Sequence, residues 1–271
     1  MPKSGDINPD HGHLTALDGV RGLAVLMVMS FHFLQRETFP SSRVVNLLQS
    51  ISRVGQTGVD LFFVLSGFLI TGILLHAKQS PAFFRNFYAR RALRIFPLAY
   101  GALLVVYVVL PLAGLTAWTS WKQQLWFWLY ASNLHATFST QDIGGPGHFW
   151  SLAVEEQFYL TWPTVVWLCN RRSLYGACIG CLIISLAARL VLIKLDYTVF
   201  DFTLCRLDAL AMGAILANFV RDRRGFAVLE SLRPQVWLGT TFLLLVPLWI
   251  NLTGKHEAIA QIAKYPLISL L

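Results

Sequence analysis

Seven runs of roughly twenty largely apolar residues divide this chain. They are Leu14–Leu34, Gly58–Leu75, Leu98–Leu115, Phe149–Cys169, Leu174–Ile193, Thr203–Val220 and Val236–Leu252. A helix needs about 20 such residues to cross the hydrocarbon core of a bilayer, at about 1.5 Å per residue. In lipid a single segment satisfies its backbone polar groups only as a helix. The pattern therefore predicts an all-α fold, a polytopic transmembrane helical bundle of seven to eight spans. A last run, Ala258–Leu271, is still apolar where the sequence stops. We expect one membrane domain over 1–271, truncated within a final partial span.

Composition agrees. Residues of the AVILMFWYC set make up 55% and charged residues 13%, against about 25% charged in soluble domains. Too little charge remains to cover a water-facing surface, which argues against a soluble enzyme, a disordered tail and a nucleic-acid-binding domain. The net charge of +8 comes mostly from cations between apolar runs, where they fix orientation. Met1–His13 is polar, and no cleavable signal peptide is expected, because the next run is of spanning length without a small-residue cleavage site. Cys178 and Cys181 resemble half of a zinc or redox site but have no second pair. Neither a metal centre nor a disulfide is expected.

The loops predict orientation. Lys78, Arg85, Arg90, Arg91 and Arg94 lie between the second and third runs with no acidic residue, whereas the preceding loop sets Arg36, Arg43 and Arg53 against Glu37. The more basic loop should be cytoplasmic, which puts the N-terminus inside. Arg171, Arg172, Arg221, Arg223, Arg224 and Arg233 follow on the same side. The stretch from Leu115 to Phe149 then makes no net crossing. Its short core, within 123–135, carries Trp126, Trp128 and Tyr130, types enriched at membrane interfaces. An interfacial or re-entrant helix is expected, with a short eighth span as the alternative.

Ionisable residues inside spans are costly and mark candidate chemistry. Arg21 and His32 are eleven residues apart, so they share a helix face about 16 Å apart. Asp18 can pair with Arg21; the alternative is that Asp18 and Arg21 snorkel at the inner interface while His32 marks the outer one. Asp60 starts the second run and is placed near the His32 level, either beside the imidazole or as a helix cap. Arg90, Arg91 and Arg94 fall within two turns before Pro97, an arrangement suited to phosphates and equally to lipid headgroups. Pro97 fixes where the chain turns or enters the membrane. His148, Ser151, Glu155 and Tyr159 form one helical stripe, and Glu155, Glu156 and Gln157 inside an apolar run are hard to place against lipid. Arg206 and Asp208 face each other or neighbouring spans, while Arg189 and Lys194 are expected to snorkel outward. Asn251-Leu-Thr253 matches a glycosylation sequon by pattern only.

Five blocks together resemble the membrane-bound acyltransferase-3 family. Arg21 followed by His32 is similar to its R-x10-H motif, and Gly58–Gly67 to its G-V-D-L-F-F-V-L-S-G block. Arg90–Pro97 resembles R-R-x-x-R-I-x-P, Trp150–Tyr159 resembles W-S-L-x-x-E-E-Q-F-Y, and Cys205–Gly213 resembles R-L-D-x-L-x-x-G. The resemblance implies about ten spans in a full-length chain, both termini inside, and a multi-pass protein of the cell membrane. It implies acyl-CoA as a cytosolic donor, with no permanently bound cofactor, and a sugar or glycan hydroxyl as acceptor. Some members carry a further extracytoplasmic domain after the membrane region.

Under that resemblance Arg90, Arg91 and Arg94 hold the donor phosphates, Arg21 steadies the donor and His32 is the general base. Glu155, with Asp60 as a weaker candidate, orients His32 or binds the acceptor. Glu156 is left without a role. The rival class is a transporter or channel lined by the same groups, which predicts solute flux without acyl turnover. A membrane scaffold is a third class, in which substitutions lower abundance and not activity.

Overall fold

The computed structural model describes residues 15–36, 42, 45, 48–49, 52–222, 225, 227–228 and 231. The expected runs Val236–Leu252 and Ala258–Leu271, the Asn251 sequon, Met1–His13, Glu37, Arg43, Arg223, Arg224 and Arg233 lie outside them. Among the described residues there is no strand. The helices are α1 (Thr15–Arg36), α2 (Thr57–Ala77), α3 (Phe83–Leu112), α4 (Trp121–Trp128), α5 (Ser132–Phe138), α6 (Phe149–Leu168), α7 (Arg171–Lys194) and α8 (Thr203–Val220), with a 3-10 turn at Arg53–Gln56. Five of them, α1, α2, α3, α7 and α8, are long and apolar enough to cross a membrane. The sixth long helix, α6, has 20 residues, or about 30 Å. Glu155, Glu156 and Gln157 lower its hydropathy, and protein rather than lipid surrounds much of it: Val154, Phe158, Trp162 and Val166 are all buried.

The chain resolves into two compact units, residues 1–65 with 216–271, and residues 66–215. In the first, α1 bears directly on the segment that opens α2. A Cβ at Gly55 would stand 2.2 Å from the Met27 carbonyl oxygen, and one at Gly58 2.6 Å from that of Ala24. Only glycine tolerates such contact. Because the later glycine meets the earlier residue, the two helices run antiparallel.

In the second unit α6 is the centre. The Trp162 indole donates to Thr71 Oγ1 at 2.8 Å, and Lys78 Nζ donates to the Val166 carbonyl at 2.7 Å. These pairs ascend together, so α2 and α6 are parallel. The Lys78 cation also sits where the C-terminal carbonyls of α6 gather partial negative charge. Opposite, Tyr88 donates to the Leu160 carbonyl at 2.8 Å, and the Tyr107 hydroxyl to that of Gly144 at 3.1 Å. Thus α3 is antiparallel to α6, and 113–148 returns the chain to the end where α3 left it. That stretch forms two short helices and not one span. Between them Tyr130 adopts a left-handed backbone (φ +51°). Ala131 N–H donates to Trp126 O at 2.8 Å and Tyr130 N–H to Phe127 O at 3.1 Å, a Schellman stop. A non-glycine residue there costs on the order of 1 kcal/mol. Gln157 Nε2 holds the Tyr130 carbonyl at 2.8 Å.

Helix α3 departs from expectation. It starts at Phe83 instead of Leu98 and runs straight through Pro97, with a π turn at Val105–Val109. Proline forfeits one internal hydrogen bond, but a break within lipid would expose several backbone groups. Continuity is the cheaper solution. At 30 residues, about 45 Å, α3 outruns the hydrocarbon core, so Arg85, Arg90, Arg91 and Arg94 stand on the helix itself.

Candidate active site

Glu155 projects from the second turn of α6 and is 6% exposed. Its Oε1 accepts a hydrogen bond from the Ser66 hydroxyl of α2, and the Tyr159 hydroxyl, one turn on, faces the same pair. The Arg91 guanidinium of α3 lies 4.8 Å from the Tyr159 ring centroid and 5.9 Å from that of Phe87, within cation–π range. Three helices thus bring together a carboxylate, two hydroxyls and a guanidinium. Glu155 and Arg91, drawn from separate sequence blocks, meet across Tyr159. Arg90 and Arg94 are exposed on α3. Glu156 is half-buried, and its Oε1 makes no hydrogen bond among the described residues.

The remaining candidates lie in the other unit. Arg21 and His32 are both half-buried on α1, which is unbroken over 22 residues, so the separation of about 16 Å holds. About the helix axis both point some 60–80° to one side of Ala24, flanking the face that presses on Gly55 and Gly58. The His32 ring lies edge-on to Phe31 at 5.4 Å. Arg21 Nε is buried without a hydrogen bond among the described residues. Asp60 is 2% exposed. Since Gly58 already meets Ala24, antiparallel packing carries Asp60 toward the Arg21 end of α1, away from the His32 level expected for it.

Arg189 does not snorkel. It is 1% exposed, and its Nη2 meets Asp208 Oδ2 at 2.6 Å and donates to the Cys205 carbonyl. A guanidinium at this depth is tolerable only when neutralised and hydrogen-bonded. Asp208 therefore pairs with Arg189 rather than with Arg206, which donates to the Phe200 carbonyl at 2.7 Å and lies over the Phe200 and Trp150 rings.

The sequence reading missed two partnerships. Ser66 was visible only as part of a small-residue block. Gln157 was visible as polar but without partners. It donates to Asn133 Oδ1 at 2.9 Å and accepts from the Thr203 hydroxyl, which itself accepts from Asn133 Nδ2 at 2.7 Å. This amide–hydroxyl knot ties α5, α6 and α8.

Beside it, outside the long helices, burial pushes the Asp201 carboxyl up to about 6, with Arg206 pulling partly the other way. The folded state therefore holds this proton more tightly than the unfolded chain. The contribution to stability is fullest below about pH 4 and is lost as pH rises to 6. Relative to the parent, Asp201→Asn should flatten the fall in thermal midpoint between pH 4 and 6.5. Parallel curves for the two proteins would remove Asp201 as its source.

The acyltransferase-domain family profile matches residues 14–270. A provisionally named peptidoglycan O-acetyltransferase of Bacillus subtilis is 35% identical over 167 residues, 56% of this chain and 24% of that protein. The peptidoglycan O-acetyltransferase OatA of Listeria monocytogenes is 31% identical over 187 residues, 62% of this chain and 27% of that protein. A provisionally named O-acetyltransferase of Staphylococcus aureus is 29% identical over 225 residues, 76% of this chain and 34% of that protein. The chain thus spans about a quarter to a third of the length of these relatives. No solved structure matches it. With the profile covering nearly every residue, and the five sequence blocks inside it, the chain belongs to the acyltransferase-3 family.

Proposed function

We propose that the protein is an integral membrane O-acyltransferase. It moves an acyl group, acetyl in the first instance, from cytosolic acyl-CoA to a hydroxyl of a cell-surface glycan. The names of its relatives make peptidoglycan the first acceptor to test. The observation that carries the reading is the buried Glu155–Ser66–Tyr159 group with the Arg91 guanidinium over the same tyrosine. Lipid anchoring accounts for neither a carboxylate at this depth nor its convergence with a cation.

His32 takes the proton of the acceptor hydroxyl. The oxygen attacks the thioester carbonyl, the C–S bond breaks, and the CoA thiolate leaves and takes up a proton. Arg90, Arg91 and Arg94 bind the donor phosphates through paired N–H donors, Arg21 steadies the donor, and Glu155 binds the acceptor. The cationic start of α3 faces the cytoplasm, with the N-terminus on that side and the protein multi-pass in the plasma membrane.

The test is the protein in liposomes with labelled acetyl-CoA outside and inside in separate preparations, plus soluble peptidoglycan fragments. One acetyl gained per fragment by mass spectrometry, dependent on donor, is expected. Solute flux without thioester turnover would favour a transporter and overturn the proposal. In the same assay Arg91→Ala should raise the apparent donor KM about tenfold or more, the scale of one lost charge-assisted hydrogen bond. Lysine should restore it only partly, because a point charge cannot reproduce the fork. An unchanged donor KM at equal abundance removes Arg91 from the donor site.

A further inference from the structure

We infer that a cleft in the 66–215 unit, walled by α4, α5, the 139–148 loop and the first turn of α6, is a saccharide subsite. Its cavity volume is about 160 Å³, and it opens to solvent at its mouth. Phe127 and Trp150 supply its aromatic surface, and Ser132, His135, Gln141 and Asp142 its polar groups. Among the described residues no lysine or arginine lines it, which argues against a phosphate. Hydroxyl, amide, imidazole and carboxylate groups beside aromatic rings suit a hydroxyl-rich ring, whose C–H face stacks on the aromatics while its hydroxyls find partners.

Two observations make this a built site. Ser132 is 6% exposed, and its Oγ makes no hydrogen bond among the described residues although it lines the cleft. A buried hydroxyl left unpaired is costly, and a ligand hydroxyl would satisfy it. The walls are also fixed in place. Trp150 is held edge-on by Phe200 at 4.8 Å, and Phe127 packs against the tilted Tyr107 ring at 5.8 Å and edge-on to Phe149 at 6.3 Å. The loop closes so tightly on Phe127 that a Cβ at Gly145 would stand 2.7 Å from Cζ. Asp142 Oδ1 accepts from Gly144 N–H at 2.9 Å and sets the turn. The cleft lies at the end of α3 away from its arginines. It rests on the acyltransferase reading for its role, that of holding the acceptor glycan.

The test uses the full chain in nanodiscs and N,N′-diacetylchitobiose as a neutral probe, with binding followed by saturation-transfer NMR and tryptophan fluorescence. Saturable binding is expected. Ser132→Ala and Gln141→Ala should each weaken it about fivefold, the worth of one hydrogen bond. Ala136→Phe, which fills the mouth from an exposed position, should abolish it. The thermal midpoint of Ser132→Ala should stay at the parent value or rise, since Ser132 Oγ has no hydrogen bond to lose among the described residues. Absence of saturable binding, or unchanged binding by Ala136→Phe, overturns the subsite. Thioester turnover is measured in parallel. Binding without turnover supports the cleft and overturns the acyltransferase reading, whereas turnover without binding overturns the cleft alone.

Discussion

His32→Ala should cut acyl transfer by at least about a hundredfold while leaving membrane abundance at the parent level. General-base catalysis is typically worth about 10²–10⁴-fold, and imidazole is the side chain suited to the role near neutral pH. The residue is half-buried on a continuous helix, beside and not within the face that Gly55 and Gly58 press upon. Its loss should therefore leave the α1 contact closed, so that a fall in transfer reads the proposed chemistry and not the packing. Phe33 is 61% exposed on the same helix, and Phe33→Ala serves as the control expected to keep activity. Arg21→Ala should behave differently from His32→Ala. About 16 Å away, it should act on donor use, with a larger change in donor KM than in kcat. Transfer is compared at matched abundance, with insertion followed by protease protection. Near-normal acylation by His32→Ala removes it as the base.

What the sequence made legible was whatever one segment could carry alone. Spanning length, the basic mouth of α3, and the shared face of Arg21 and His32 all follow from local periodicity. The return of 113–148 to the end it left also follows, through orientation arithmetic and a short aromatic core. Partnerships were not legible. Ser66 and Glu155 are 89 residues apart and Arg189 and Asp208 19 apart, and no helical spacing records which faces meet. Arg189 near the end of an apolar run reads as a snorkelling cation when its partner is unseen. Pro97 misled for a related reason. Its local preference is to end a helix, and only the surrounding bilayer makes continuation the lesser cost. Asp60 was misplaced because the glycines that set the register of α1 against α2 act through backbone contact, which leaves no hydrophobic pattern.

The Arg189–Asp208 pair carries the largest expected effect on stability. Both side chains are almost fully buried, 1% and 3% exposed as residues, and the guanidinium also serves the Cys205 carbonyl, to which the Ser185 hydroxyl donates at 3.0 Å. Asp208→Ala removes the carboxylate that neutralises a buried cation and should cost about 3–5 kcal/mol, read as a steep fall in thermal midpoint and in folded yield from detergent. Arg189→Met alone strands the carboxylate and should do comparable harm. Replacing both, as Arg189→Met with Asp208→Leu, removes the two desolvation penalties together and should recover most of the loss. That non-additivity separates a neutralised buried pair from two independent surface charges, whose single substitutions would fall within about 0.5 kcal/mol. A double variant as damaged as the sum of the singles would mean that α7 and α8 are held by something other than this pair. Recovery of stability in the double variant, with acyl transfer intact, would assign Arg189 and Asp208 to holding α8 in place.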